Sequence, residues 1–422
     1  MLRGNFGVSP ALWQTHAVLC ETAGGVLLNN RSGDGALMND SVLVDGRPTW
    51  AEIDLDALAW NFRAVRERVG PGVKVMGVVK ADAYGHGAVQ CARRLEAEGA
   101  DWFGVATPEE GIALRRAGVK RPVLSFGGFW NGQADTCVAE GIVPVVYRFD
   151  IAAALDAAAR AAGVVADVHV KIDTGMGRLG VRYDEAAEFA EALRAFGNVR
   201  VDGLMTHFAA ADEPRRDCFT TDQLHRFREA VAAFKSRGYS PTYEHMANSA
   251  ATFAHPETRG NMVRPGGALY GLWRDVLPPL SEKPALTLRP AMSLRTRVTL
   301  LKQVHAGETL GYGCTYEAAR EMTVATVPAG YADGYARALS NRGRVIIRDV
   351  YAPVVGRISM DLTLVDVTGI EGVRVGEQVT MLGADGRLLL PVEDLAQTAG
   401  TLSYELTCGV SARVPRRYVQ NA

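Results

Sequence analysis

No C-x-x-C pair occurs in this chain, although it holds six cysteines (Cys20, Cys91, Cys137, Cys218, Cys314 and Cys408). Thiols so far apart argue against a zinc site or a disulfide framework and fit the reducing cytoplasm. The eight histidines form no H-E-x-x-H motif and no tight cluster, so no metal is expected. No apolar run approaches the roughly 18 residues needed to cross a bilayer. The first 46 residues lack a basic stretch followed by an apolar one, so they do not read as a signal peptide. An excess of charge is missing too. With 46 Lys and Arg against 47 Asp and Glu, the formal net charge is −1. Neither nucleic acid nor an anionic membrane finds an electrostatic footprint in that balance.

What is present is ordinary for a soluble globular enzyme: 48% hydrophobic and 22% charged residues. A length of 422 residues allows two domains, or one large barrel with a smaller domain. Residues 1–46 carry Gly, Asn, Ser and Asp without sustained periodicity and read as a loosely held extension with no assigned function. From Trp50 the pattern becomes regular, and Asp54 or Asp56 can cap a helix through about Val69. Short apolar runs then alternate with amphipathic helices. Strands are expected near Val73–Val79, Trp102–Ala106, Val123–Phe126, Val143–Tyr147, Asp167–Ile172, Val201–Thr206, Tyr243–Ala247 and Met262–Arg264. Eight strands interleaved with helices predict a (β/α)8 barrel over residues 47–285. An open doubly wound sheet stands as the alternative, since strand order is not legible in sequence. Near Leu286 the grammar changes to alternating and β-branched runs, predicting a mainly-β domain over 286–422 with one short helix near Val392–Thr398.

Chemistry collects at the expected C-terminal ends of the barrel strands, where such folds place catalytic groups. Lys80 ends the first strand candidate and runs into the loop ADAYGHG. It is either a lysine snorkelling off a strand end or a desolvated Schiff-base amine. Lys171 sits late in the fifth strand, His207 follows the sixth, Asn248 and Ser249 follow the seventh, and Arg264 ends the eighth. Arg178 lies in GMGRLG (Gly175–Gly180), which formally matches the dinucleotide fingerprint. The acidic residue that fingerprint requires at the next strand end is missing, since Glu191 falls in a helix and Asp202 starts a strand. A planar guanidinium suited to a carboxylate is the better use of the loop. Tyr312 is flanked by Gly311 and Gly313, which either exposes a phenol to a ligand or simply makes a hairpin turn.

The segments AEIDLDAL, VVKADAYGHG, KIDTGMGRLG, THFA, ANSA, RPGGALYG, GYGCTY, AGYADGY, GRISMD and SYEL…RVPR, in this order from about Trp50 to Arg417, resemble the alanine racemases. The resemblance implies a barrel followed by a β-domain, pyridoxal 5'-phosphate as cofactor, and a homodimer with shared active sites. It implies that Lys80 carries the cofactor and moves the α-proton on the D-face. Tyr312, from the partner subunit, would act on the L-face, tuned by His207 and Arg264. Arg264 would face the pyridine nitrogen. The cofactor phosphate would rest against Tyr84, Ser249, Tyr404 and the N–H groups of Gly266 and Gly267, with Asn248 beside them. Arg178 and the N–H of Met360 would hold the substrate carboxylate, and Lys171 matches a position often carbamylated. Tyr331 and Arg357 match residues at the mouth of the site.

Departures are few. Gly267 replaces a branched aliphatic, Ala412 replaces an aromatic, and residues 1–46 have no counterpart in the family. The implied reaction interconverts L- and D-alanine, supplying D-alanine for peptidoglycan. Racemisation of another small amino acid such as serine is one alternative. A non-catalytic pyridoxal-phosphate carrier is another, but carriers lack a second domain. A decarboxylase of this architecture would place an acid, not Arg264, at the pyridine nitrogen.

Overall fold

The computed structural model describes residues 46–276 and 288–420. The expected N-terminal extension, apart from Gly46, and the expected domain boundary at 285/286 lie outside those residues.

Eight parallel strands close into a barrel. In chain order they are Lys74–Val78, Trp102–Val105, Val123–Ser125, Ile142–Val146, Ala166–Asp173, Val199–Met205, Tyr243–His245 and Met262–Val263. Each pairs with the next, and the eighth pairs back to the first through Met262 opposite Lys74 and Val263 opposite Val75. Closure excludes the open doubly wound alternative. Inward-pointing side chains fill the barrel with an apolar plug of Met76, Trp102, Leu124, Val145, Met205 and Met262. Residues of opposite parity face the helices and join a second, larger core. All eight predicted strands are present, displaced by at most two residues at either end.

The helix beginning at Leu55 runs to Val69 and is capped by Asp54, whose Oδ1 accepts the N–H groups of Asp56 (2.9 Å) and Ala57 (2.8 Å). The segment just before it was not anticipated. Trp50–Asp54 is a strand that pairs antiparallel with Met292–Arg297 and parallel with Arg416–Val419. It therefore belongs to the C-terminal sheet, although it precedes the whole barrel in sequence. Its five residues are too few for periodicity to separate them from the helix that follows.

The remaining β-structure comprises that sheet, a three-stranded sheet of Leu300–Val304, Met322–Val327 and Thr363–Asp366, and the hairpin Thr309–Leu310/Tyr316–Glu317. The expected helix near Val392 spans Val392–Ala399, and a second, unforeseen helix covers Ser403–Cys408. That second helix returns to the barrel and packs against the segment after Lys80. Among the described residues no helix is long and apolar enough to cross a membrane.

Candidate active site

A cavity of about 420 Å³ opens at the C-terminal ends of the barrel strands. Its lining includes Lys80, Tyr84, Lys171, Arg178, His207, Asn248, Ser249, Arg264, Gly266, Gly267 and Tyr404. Eleven of the fifteen residues singled out in the sequence thus meet in one space.

Lys80 is not the last residue of its strand. Pairing stops at Val78, and Val79 still donates to the Gly104 carbonyl (2.9 Å). The chain then makes a left-handed helical turn. Ala81, Asp82, Ala83 and Tyr84 have φ of 52°, 52°, 54° and 55°. None is glycine, so the turn costs roughly 1–2 kcal/mol per residue. Its clamps are specific. Ala81 N–H donates to Glu110 (2.7 Å), and Asp82 accepts from Ala88 N–H (2.7 Å). Arg416 donates to the Gly85 carbonyl (3.0 Å). The result is an amine aimed into the cavity and a phenol, Tyr84, four residues on in the same space. Burial, followed by the charge of Arg178, lowers the Lys80 pKa from the ordinary lysine value.

Opposite Lys80, Ser249 Oγ accepts the N–H groups of Gly266 (2.8 Å) and Ala268 (3.2 Å). A Cβ at Gly266 would lie 2.3 Å from the Tyr84 hydroxyl, and one at Gly267 would lie 2.6 Å from the Tyr404 hydroxyl. A side chain at either position would have to displace one of these tyrosines. Burial raises the pKa of both tyrosines, so both hydroxyls stay protonated as donors. Three hydroxyls and bare backbone make a cradle suited to a phosphate. Asn248 caps the helix Ser249–Ala254 by accepting Ala251 N–H (2.9 Å), so its carboxamide serves the fold as well as lining the cavity.

The floor is cationic. Arg264 is 4% exposed and donates to the carbonyls of Thr206 (2.6 Å) and Met246 (2.9 Å). It also faces His207 Nδ1 (3.2 Å) and His245 Nδ1 (3.0 Å). Burial lowers its pKa to about 9, which still leaves it a cation at neutral pH. A guanidinium only donates, so both Nδ1 atoms must accept and both imidazoles carry their proton on Nε2. His245 Nε2 then donates to His169 Nδ1 (2.7 Å). The His169 proton is in turn left on Nε2, a buried atom without a partner. One guanidinium fixes the tautomers of three histidines. Burial, ahead of the nearby cations, holds His207 and His245 well below the ordinary histidine value, so they are neutral. Lys171, also buried, has its pKa lowered to about 8 by burial and then by Arg264, Arg178 and Lys80.

His245 and His169 were not foreseen. The sequence shows each as a histidine within an apolar strand, where a satisfied core residue is the commoner reading. Asp212, Asp275, Phe126 and Cys408, which also line the cavity, stood in no recognised pattern. The GMGRLG loop is no dinucleotide turn: Asp173 accepts the N–H groups of Gly175 (3.0 Å) and Gly177 (3.1 Å), and a short strand, Val181–Arg182, follows instead of a helix.

Four residues do not line the cavity: Tyr312, Met360, Tyr331 and Arg357. They sit on the C-terminal domain. Tyr312 is 72% exposed, Met360 52% and Tyr331 42%. Tyr331 N–H donates to the Ser359 carbonyl (3.0 Å) and Ala332 N–H to the Met360 carbonyl (3.0 Å), while Arg357 packs over the Gly311–Gly313 turn that carries Tyr312.

Two family models match the chain: alanine racemase, N-terminal domain, over residues 53–273, and alanine racemase, C-terminal domain, over 291–418. An alanine racemase of Halothermothrix orenii is 43% identical over 374 residues, 88% of this chain and 97% of that one. The crystal structure of an alanine racemase from Streptomyces lavendulae superposes with a TM-score of 0.82 at 40% identity, covering 90% of this chain and 98% of that one. One from Bartonella henselae, described with covalently bound pyridoxal phosphate, gives 0.78 at 26% identity over 89% and 100%. Two domain matches in order, across most of the chain, make it a member of the alanine racemase family.

Proposed function

We propose that this chain interconverts L- and D-alanine by a two-base mechanism dependent on pyridoxal 5'-phosphate, as a cytoplasmic homodimer that supplies D-alanine for peptidoglycan. The residues fit the cofactor: an amine of lowered pKa at one end of the cavity, and at the other a cradle that any Cβ at Gly266 or Gly267 would fill. When bound, the cofactor supplies an electron-withdrawing ring that acidifies the α-proton of an attached amino acid. Arg264, a cation that accepts no proton, would limit that withdrawal and so restrain side reactions such as transamination.

The observation that carries the mechanism is the separation of the two bases. Lys80 lies in the cavity, while Tyr312 stands 72% exposed on the other domain. Racemisation needs a base on each face of the α-carbon, and in a homodimer the face opposite Lys80 would be served by Tyr312 of a second copy. Met360, Tyr331 and Arg357 would arrive with it, closing the cavity over the substrate. A neutral phenol is a poor proton acceptor, so Tyr312 would need help to act as a base. His207, whose Nε2–H is set by Arg264, would donate to the phenolate oxygen and help to hold its charge. Arg178, with Lys171 behind it, would hold the substrate carboxylate at the cavity mouth. A small pocket would favour alanine, with serine secondary.

Incubation of the protein with L-alanine in D2O tests this directly. D-alanine carrying α-deuterium is the expected product, and Lys80→Ala should abolish it together with cofactor absorbance. Turnover that survives Lys80→Ala would sink the assignment of Lys80.

A further inference from the structure

The left-handed turn after Lys80 raises a question that the cavity does not answer: what holds four non-glycine residues at positive φ. Of the three clamps, those of Asp82 and Arg416 act at the far end, on Ala88 and Gly85. The near end, next to Lys80, is held by Ala83 N–H donating to the Val79 carbonyl (2.9 Å) and, from outside the turn, by Glu110. This residue lies in the first turn of the helix Pro108–Arg116. Its Oε1 accepts Ala81 N–H (2.7 Å) and its Oε2 accepts Ala106 N–H (2.7 Å). One carboxylate therefore bridges the backbones that follow the first and second barrel strands. Both bonds are charge-assisted, the stronger kind. Glu110 is absent from the cavity lining, so it touches neither cofactor nor substrate there.

We propose that Glu110 is a positioning residue for the cofactor-bearing lysine: its carboxylate pins the amide next to Lys80 and so holds the left-handed turn that aims the amine into the cavity. The assignment rests on the reading of Lys80 as the point of cofactor attachment. It explains why a carboxylate rather than an amide is needed. Glutamine would keep one acceptor and turn an N–H donor towards the second backbone N–H, so one of the two bonds is lost and a repulsion replaces it. The same carboxylate is also a negative charge acting on Lys80, opposing Arg178 and Arg264.

The test pairs E110Q with A83G. Ala83 is fully buried outside the cavity lining at φ 54°, where glycine carries no steric cost. Cofactor retention is measured by absorbance titration with pyridoxal 5'-phosphate, and attachment by borohydride reduction and peptide mapping. Hydrogen exchange of the peptide 80–87 is read in the apoprotein against the helix Asp217–Lys235 as an internal control for folding. E110Q should weaken cofactor retention roughly tenfold or more and speed exchange in 80–87 while leaving the control helix protected. A83G alone should change little, and E110Q/A83G should recover most of the loss, because the turn no longer needs forcing.

An adduct on Lys80 in the unaltered protein, with E110Q matching it in retention and exchange, overturns the role of Glu110 alone. A double variant no better than E110Q, or one that does not fold, also overturns it. No adduct on Lys80 in the unaltered protein overturns the cofactor reading itself and the positioning role with it.

Discussion

Arg264 and Lys171 show how the same burial acts differently on two cations. The guanidinium stays charged; its Nη1 serves His245, and the two hydrogens of Nη2 are shared among the Thr206 and Met246 carbonyls and His207. The ammonium has a pKa near 8, so a substantial neutral fraction exists at ordinary pH. A neutral amine is the nucleophile that attacks carbon dioxide, losing a proton as the carbamate forms. Carbamylation at Lys171 would replace one of several crowded cations with an anion next to Arg178, relieving the repulsion that, after burial, lowers the pKa. In 13C-bicarbonate, a carbamate signal should therefore grow as pH rises through about 8 and be missing from Lys171→Arg, which stays cationic. If Arg178 is oriented by that anion, Lys171→Arg should raise KM for alanine roughly tenfold to a hundredfold, the worth of one charge-assisted hydrogen bond, with a smaller effect on kcat. A carbamate-free Lys171, or an unchanged KM in the variant, would remove Lys171 from substrate binding.

Two positions outside the cavity lining differ in how rigidly their elements are specified. Asp54 caps the helix Leu55–Val69 through one oxygen, and Asp54→Ala should lower stability by about 1 kcal/mol. Gly85 ends the left-handed turn at φ 83°, and a Cβ there would stand 2.1 Å from the Thr407 carbonyl oxygen. The obstacle is backbone, so Gly85→Ala should cost clearly more than the cap, and urea unfolding of the two variants side by side gives the ranking. An equal or smaller loss at Gly85 would mean that the turn and the helix Ser403–Cys408 part easily.

This contrast also explains what could be read in advance. The barrel strands were legible because each alternates with an amphipathic helix long enough to show its period, and the cap was narrowed by type and place to Asp54 or Asp56, of which the structure uses Asp54. The left-handed turn was not. KADAY contains no residue that favours positive φ over ordinary helix, and its conformation is imposed by Glu110, Arg416 and Thr407, which lie far away in sequence. Trp50–Asp54 failed for the same reason, since its sheet partners come some 240 and 365 residues later. Lys80, Lys171, His207 and Arg264 could be placed from position alone, because strand ends converge in a barrel. His245 and His169 hid inside strands, where only the orientation of Arg264 reveals that they belong to the polar floor.

At the scale of the whole molecule, the described chain holds Lys80 in its cavity and Tyr312 on an exposed face. The homodimer reading says that each cavity is completed by the other subunit, and this has a consequence that no single-chain site shares. Lys80→Ala and Tyr312→Phe should each be inactive or nearly so as separate proteins. Mixed and allowed to exchange subunits, they form hybrids in which one site combines the intact Lys80 of one chain with the intact Tyr312 of the other, while the second site carries both lesions. Random exchange makes half the dimers hybrid, and each has one working site in two, so activity should return to about a quarter of that of the unaltered protein. Were Lys80 and Tyr312 to serve the same site from the same chain, every site in every hybrid would keep one lesion, and mixing would restore nothing. Recovery that depends on exchange time and protein concentration therefore distinguishes a shared site from a self-contained one, without any assumption about how tightly the subunits bind.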